Sequence, residues 1–294
     1  MDRKSLLVVA AIAVLAAVPA AAQQSEDVTT APMGSGPAPD PNAPVWSGPR
    51  ALLYDNGPIV NSPGTGAGGA DESQLQVGLG MNTLGAGHQF ALGYRVADEF
   101  TVPAGDEWQI DTFTFFAYQT GSTTTSTITG VYVQIWNGQP NAGGTLIWGD
   151  MTTNRLSSTS WANIYRVSET ASGNTQRPVM ANIATIGTSL TPGTYWIDWS
   201  VDGTLSSGPW VPPITITGQT STGNSLQYTT AWAALLDSGT STPQGLPFIV
   251  DGEYLGPTPT QGVLQGIPTM SGRGIAVLVL LLVVVGVLVL RRVS

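Results

Sequence analysis

Alternation of apolar and polar positions is the strongest signal along this chain. In "GVYVQIWNG" it sets Val131, Val133 and Ile135 on one face of an extended strand, and Tyr132, Gln134 and Trp136 on the other. The first three are predicted to be core. In "GTYWIDWSVDG" the same period points Tyr195, Ile197, Trp199 and Val201 inward and Trp196, Asp198, Ser200 and Asp202 outward. Runs rich in Val, Ile, Thr and aromatics recur in "YRVADEFTV", "WQIDTFTFFAYQ", "WANIYRVS", "RPVMANIAT" and "LPFIVDG", divided by clusters of Gly, Pro, Asn and Ser. No comparable window has helical spacing. The pattern predicts one all-β domain over residues 51–254, an antiparallel β sandwich of jelly-roll-like type, with its strand order left open. No short repeat period suggests a solenoid or propeller.

Both ends break this pattern. Residues 1–22 carry Arg3 and Lys4, then an apolar stretch, then Ala20, Ala21 and Ala22, the order of a secretory signal peptide cut by signal peptidase after Ala22. Residues 275–290 form an apolar run interrupted only by Gly286 and followed at once by Arg291 and Arg292. With no polar stripe, and with arginines able to snorkel, it reads as one C-terminal transmembrane helix. The basic flank after the span keeps the C-terminus in the cytoplasm and the preceding domain outside. Residues 23–50, rich in Pro, Gly and Ser, read as a linker, and 255–266 as a spacer.

The stretch "IPTMSGRG" ahead of this run resembles the C-terminal sorting signal of the IPTL-CTERM family. Ile267, Pro268, Thr269, Ser271 and Gly274 match that motif, while Met270 stands in place of Leu and Arg273 in place of Trp. Motif, helix and basic tail come in the family's order over residues 267–294. The resemblance implies an exported protein of the Gram-negative envelope or matrix, similar in logic to exosortase substrates. A processing enzyme of the inner membrane would then remove the helix and pass the domain to the surface or medium; the alternative is retention in that membrane. Segments such as "YDNGPIV", "GDMTTNRLSSTSWANIYRV", "SGPWVPP" and "QGLPFIV" also look like the large exported β domains that precede such signals. That likeness implies no reaction.

Composition narrows the function classes. Among 294 residues, 19 acids outnumber 10 bases, giving a formal charge of −9, so no basic patch favours nucleic acid. Cysteine is absent, which removes disulfides and thiolate chemistry. The single histidine, His88 in "LGAGHQF", would have to serve any Ser-His-acid triad, but no G-x-S-x-G accompanies it, and it reads as an exposed loop residue. Neighbouring acids such as Asp98 with Glu99, or Asp106 with Glu107, diverge on a strand; acids on separate strands, for example Asp111 and Asp198, could converge as a glycosidase pair. No cofactor is expected beyond a structural calcium ion, for which Asp55, Asn56, Asp71 and Glu72 offer hard oxygen ligands, although Asp and Asn are also ordinary turn residues.

The nine tryptophans suggest polysaccharide, whose sugar rings stack on aromatic faces. Trp136, Trp196, Trp210 and Trp232 fall at outward or loop positions, with Asp198 beside them, whereas Trp108, Trp148, Trp161 and Trp199 read as core. Three function classes follow. The leading expectation is a non-enzymatic envelope or matrix protein. The second is a carbohydrate-binding module, which requires the outward tryptophans to gather on one face, and the third a secreted glycoside hydrolase.

Overall fold

The computed structural model describes residues 51–256. The expected signal peptide, linker, sorting motif, membrane helix and basic tail lie outside the described residues. Among those described, no helix is long and apolar enough to cross a membrane.

Among the described residues fourteen strands follow in chain order: β1 Ala51–Asp55, β2 Asp71–Leu75, β3 Ala86–Gly87, β4 Arg95–Val102, β5 Trp108–Ala117, β6 Ile128–Trp136, β7 Leu146–Asp150, β8 Leu156–Ser168, β9 Pro178–Leu190, β10 Gly193–Gly203, β11 Trp210–Val211, β12 Leu226–Tyr228, β13 Trp232–Ala234 and β14 Phe248–Tyr254. The fold is all-β, and its two six-stranded sheets have a sandwich-like arrangement. The first sheet runs β1-β14-β5-β9-β8-β2 and the second β13-β12-β4-β10-β6-β7, while β11 pairs with β3 in a small third sheet. Pairing between the named strands is antiparallel except at one edge, where β2 lies parallel to β8. The expectation of a wholly antiparallel fold is corrected there. The polar "DESQL" of β2 has no apolar alternation that could have announced its partner.

The core forms between the faces on which alternation put the apolar residues. Phe113, Phe115, Phe248 and Val250 of the first sheet meet Phe100, Val133, Ile135, Ile197 and Trp199 of the second, all buried. Phe115 stacks on Trp199 with ring centroids 4.8 Å apart, and Phe100 meets Phe113 edge-on at 5.7 Å. Each fully buried side chain of this size contributes roughly 1.5–3 kcal/mol of transfer free energy. The inward assignments of β6 and β10 hold throughout: Val131, Val133, Ile135, Ile197, Trp199 and Val201 are fully buried and Tyr195 nearly so. Trp108 is also core, whereas Trp148 and Trp161 are half-buried and pack against it.

The outward assignments need correction. Trp196, Asp198, Ser200, Asp202 and Tyr132 are buried as well. Neighbouring side chains of the same sheet cover Trp196 and Asp198, and at the Ser200 end segment 88–94 folds over the outer face, neither of which alternation within a single strand can report. Phe90 stacks on Tyr132 at 3.7 Å, and the Ser200 hydroxyl lies within hydrogen-bond distance of the carbonyl oxygens of His88 and Tyr94. His88 itself is not an exposed loop residue but fully buried.

Candidate functional site

The outer face of the second sheet is also where chemistry-bearing side chains converge. β10 supplies Trp196 and Asp198. Register places Trp136 of β6 opposite Trp196, and Gln134 of β6 and Ala97 of β4 on either side of Asp198. On the far side, Tyr228 of β12 pairs with Arg95 of β4 and with Trp232 of β13. Ala97, Trp196 and Leu226 form a small apolar cluster against which Trp136 and Trp232 pack.

Arg95 ties the face together. Its Nη1 donates to Asp198 Oδ2 at 3.0 Å and to Gln134 Oε1 at 3.0 Å. Its guanidinium carbon sits 4.5 Å from the Tyr228 ring centroid and 5.1 Å from that of Trp232. Such cation–π contacts contribute about 0.5–1 kcal/mol each where partly exposed. Trp136 Nε1 donates to the same Asp198 Oδ2 at 3.3 Å, while the buried Oδ1 has no hydrogen-bond partner. Burial pushes the Asp198 carboxyl up to about 7, although Arg95 and the indole of Trp136 both favour its charged form. Trp136, Tyr228, Trp232 and Gln134 remain half-exposed, so the face offers rings and an amide to solvent over a covered ion pair.

A pocket of about 210 Å³ opens beside this platform, lined by Phe90, Gly93, Arg95, Met151, Ser200 and Tyr228. Two local devices shape it. The 3-10 turn Phe90–Leu92 ends on Gly93 in the left-handed conformation (φ 71°), which a side chain would strain. Met151 follows Asp150, whose carboxylate accepts hydrogen bonds from the backbone and hydroxyl groups of both Thr152 and Thr153 and from Arg155. Burial opposes ionisation of Asp150, but these donors outweigh it and hold its carboxyl far below the usual range.

The other predicted site residues lie elsewhere. Trp210 is fully buried in a second cluster with Tyr118, Phe116, Ile164 and Val179, so its expected outward position is corrected. Pro209, Pro212 and Pro213 of "SGPWVPP" are buried as well. Asp111 belongs to the first sheet, whereas Asp198 sits on the face of β10 turned away from that sheet, so these two acids do not converge. Asp98 is buried and accepts from the amides of Leu246 and Glu99 and from Asn56 Nδ2; burial pushes it up to about 7 against those donors. Glu99 accepts from Asn224, and Asp106 and Glu107 lie at the turn before β5. Both ring nitrogens of His88 lack partners, and burial lowers its pKa to about 3, so the imidazole is neutral at physiological pH.

Of the calcium candidates, Asp55 accepts from the Gly57 amide and Asp71 from the Gly64 amide, both turn contacts. Asn56 donates to Asp98 and to the Leu246 carbonyl, and buried Glu72 accepts from Thr65, Gln74, Ser172 and Gly173. No group of three metal-ligating side chains comes together among the described residues.

Sequence reading missed Arg95, Gln134, Tyr228, Phe90 and Met151. One signal was available, because "YTTAW" places Tyr228 and Trp232 across a tight hairpin with their rings 5.4 Å apart. The Arg95–Asp198 pair spans 103 positions and has no local signature. Comparison of the chain with protein-family models, with curated proteins and with solved structures found no match, so the reading of this face rests on its own geometry.

Proposed function

We propose that this chain is an exported, non-enzymatic envelope or matrix protein that holds polysaccharide on the outer face of its second sheet. Export rests on the leader and on the C-terminal sorting resemblance. The binding reading rests on one observation: three of the four tryptophans that the sequence placed outward, the half-exposed Trp136 and Trp232 and the buried Trp196, gather with Tyr228 around a single ion pair on one sheet face. Sugar rings present apolar C–H faces edged with hydroxyls, and half-exposed indoles and phenols beside an amide match that chemistry. The backbones of β13 and β6 are four inter-strand steps apart, roughly 19 Å, a span suited to several sugar units of an extended chain.

Asp198 supports a binding role over a hydrolytic one. It is covered by Trp136 and held by Arg95, which suits a residue that orients its neighbours rather than an acid facing substrate in an open cleft. Aromatic contacts of this kind contribute roughly 0.5–1.5 kcal/mol each, so three half-exposed rings give a site of about millimolar affinity per segment. Repetition along a polymer would strengthen it.

Affinity electrophoresis tests the reading, with the full-length protein run through native gels cast with soluble exopolysaccharide. The wild-type chain is expected to be retarded, and Trp136→Ala and Trp232→Ala to be retarded clearly less. Equal retardation of wild type and both variants would overturn the assignment.

A further inference from the structure

The pocket beside Arg95 narrows the class of sugar, given the binding reading above. Its volume of about 210 Å³ lies below the range of roughly 300–1,000 Å³ that encloses a drug-sized ligand. It therefore suits one sugar residue or its substituent, while the rest of the chain lies on the platform. Arg95 and Tyr228 belong to both pocket and platform, so a glycan on the rings of Tyr228 and Trp232 can place a substituent directly into the pocket.

The walls select the substituent. The Phe90 ring, the Met151 thioether and the Tyr228 ring are apolar, and Gly93 adds no side chain to the wall, so the pocket accepts a methyl group. Arg95 is donor-only, and its Nη1 is taken by Asp198 and Gln134, which leaves its other N–H groups to meet a carbonyl oxygen. The Ser200 hydroxyl gives its single proton to the carbonyl of His88 or Tyr94, so toward the pocket it serves as an acceptor for an N–H. A methyl-accepting wall with one donor and one acceptor is the complement of an acetamido group.

Charge removes the nearest competitor. The Arg95 Nη1 is already engaged by Asp198 and Gln134, and the chain carries a formal charge of −9 that repels anions, so a uronic acid or sulfated sugar gains little here. We infer that this pocket recognises the N-acetyl group of an uncharged N-acetylated sugar within the bound polysaccharide.

Isothermal titration of the full-length protein, held in a sugar-free detergent, decides this with two probes: the β-1,4 trimer of N-acetylglucosamine and the β-1,4 trimer of glucose. They differ only in the substituent at C2. The expected result is at least tenfold tighter binding of the acetylated trimer, and a ratio near one in Met151→Trp, whose indole fills the pocket. Equal affinities in the wild type, a preference for glucose, or a preference that M151W leaves intact overturns the inference while the platform stands. Binding of neither trimer overturns the platform reading and the inference with it. The wild-type comparison decides the inference alone if M151W melts well below the parent protein.

Discussion

Removing Arg95 exposes the energetics of the candidate site most clearly. In the wild type the Asp198 carboxyl titrates near 7, because burial raises it while Arg95 and Trp136 limit the rise. Without the guanidinium, nothing opposes burial except one indole N–H, so the pKa in the folded state climbs further. Below about pH 6 the carboxyl is protonated in both proteins, and Arg95→Ala loses only the bond to Gln134 and the contacts with Tyr228 and Trp232, on the order of 1–2 kcal/mol. Above 7 the wild type has already released this proton, whereas the folded variant still holds it and the unfolded variant does not. The sign is therefore fixed: the stability gap widens with rising pH, by up to about 1.4 kcal/mol per pH unit. Urea melts of both proteins from pH 5 to 9 read this directly. Adding Asp198→Asn to the variant should flatten the curve, because no titrating group remains at the site. A gap of the same size at pH 5 and pH 9 would refute the reasoning.

Other outcomes test the fold and its loops. Phe115→Ala removes a ring stacked on Trp199 in the centre of the sandwich; chemical denaturation should show a loss of about 3–5 kcal/mol, and a loss below 1 kcal/mol would contradict the packing described. Asp237 accepts from the amides of Thr240, Thr83, Asn82 and Gly239, which outweigh burial and keep its carboxyl below the usual range. Its contribution is present above the unfolded value of 3.8 and is lost as pH falls through the lower folded value. Asp237→Asn should therefore be less stable than wild type at pH 7, with a gap that narrows in acid thermal melts. Gly149 has φ 82°, and a Cβ there would sit 2.2 Å from the Val133 carbonyl oxygen. Gly149→Ala should loosen β7 from β6, seen as faster amide exchange at Trp148 and Asp150.

The limits of sequence reading follow the physics of each element. Alternation identified the inner faces of β6 and β10 because both strands are long and bury one face against the opposite sheet. It failed on their outer faces because a strand reports only its own period, not the chain that later folds over it. Segment 88–94 crosses the Ser200 end of β10 through bonds that reach back more than a hundred residues, so Ser200 and Asp202 looked like a solvated row. The partly exposed positions of Trp136 and Trp232 were readable because they lie at strand ends near turns. Trp210 was misread for the same reason, since the two-residue pairing of β11 with β3 that buries it is too short to leave a pattern. Glu72, a surface residue by type, is buried because hydroxyl, amide and backbone donors from four other residues surround it.

Sugar binding on the outer face of the second sheet is read at the rings themselves by NMR of the indole N–H groups during titration with soluble exopolysaccharide. The signals of Trp136 and Trp232 are expected to shift and broaden while those of the buried Trp108, Trp199 and Trp210 stay in place. Shifts confined to the buried set, or none at all at saturating polymer, would contradict it.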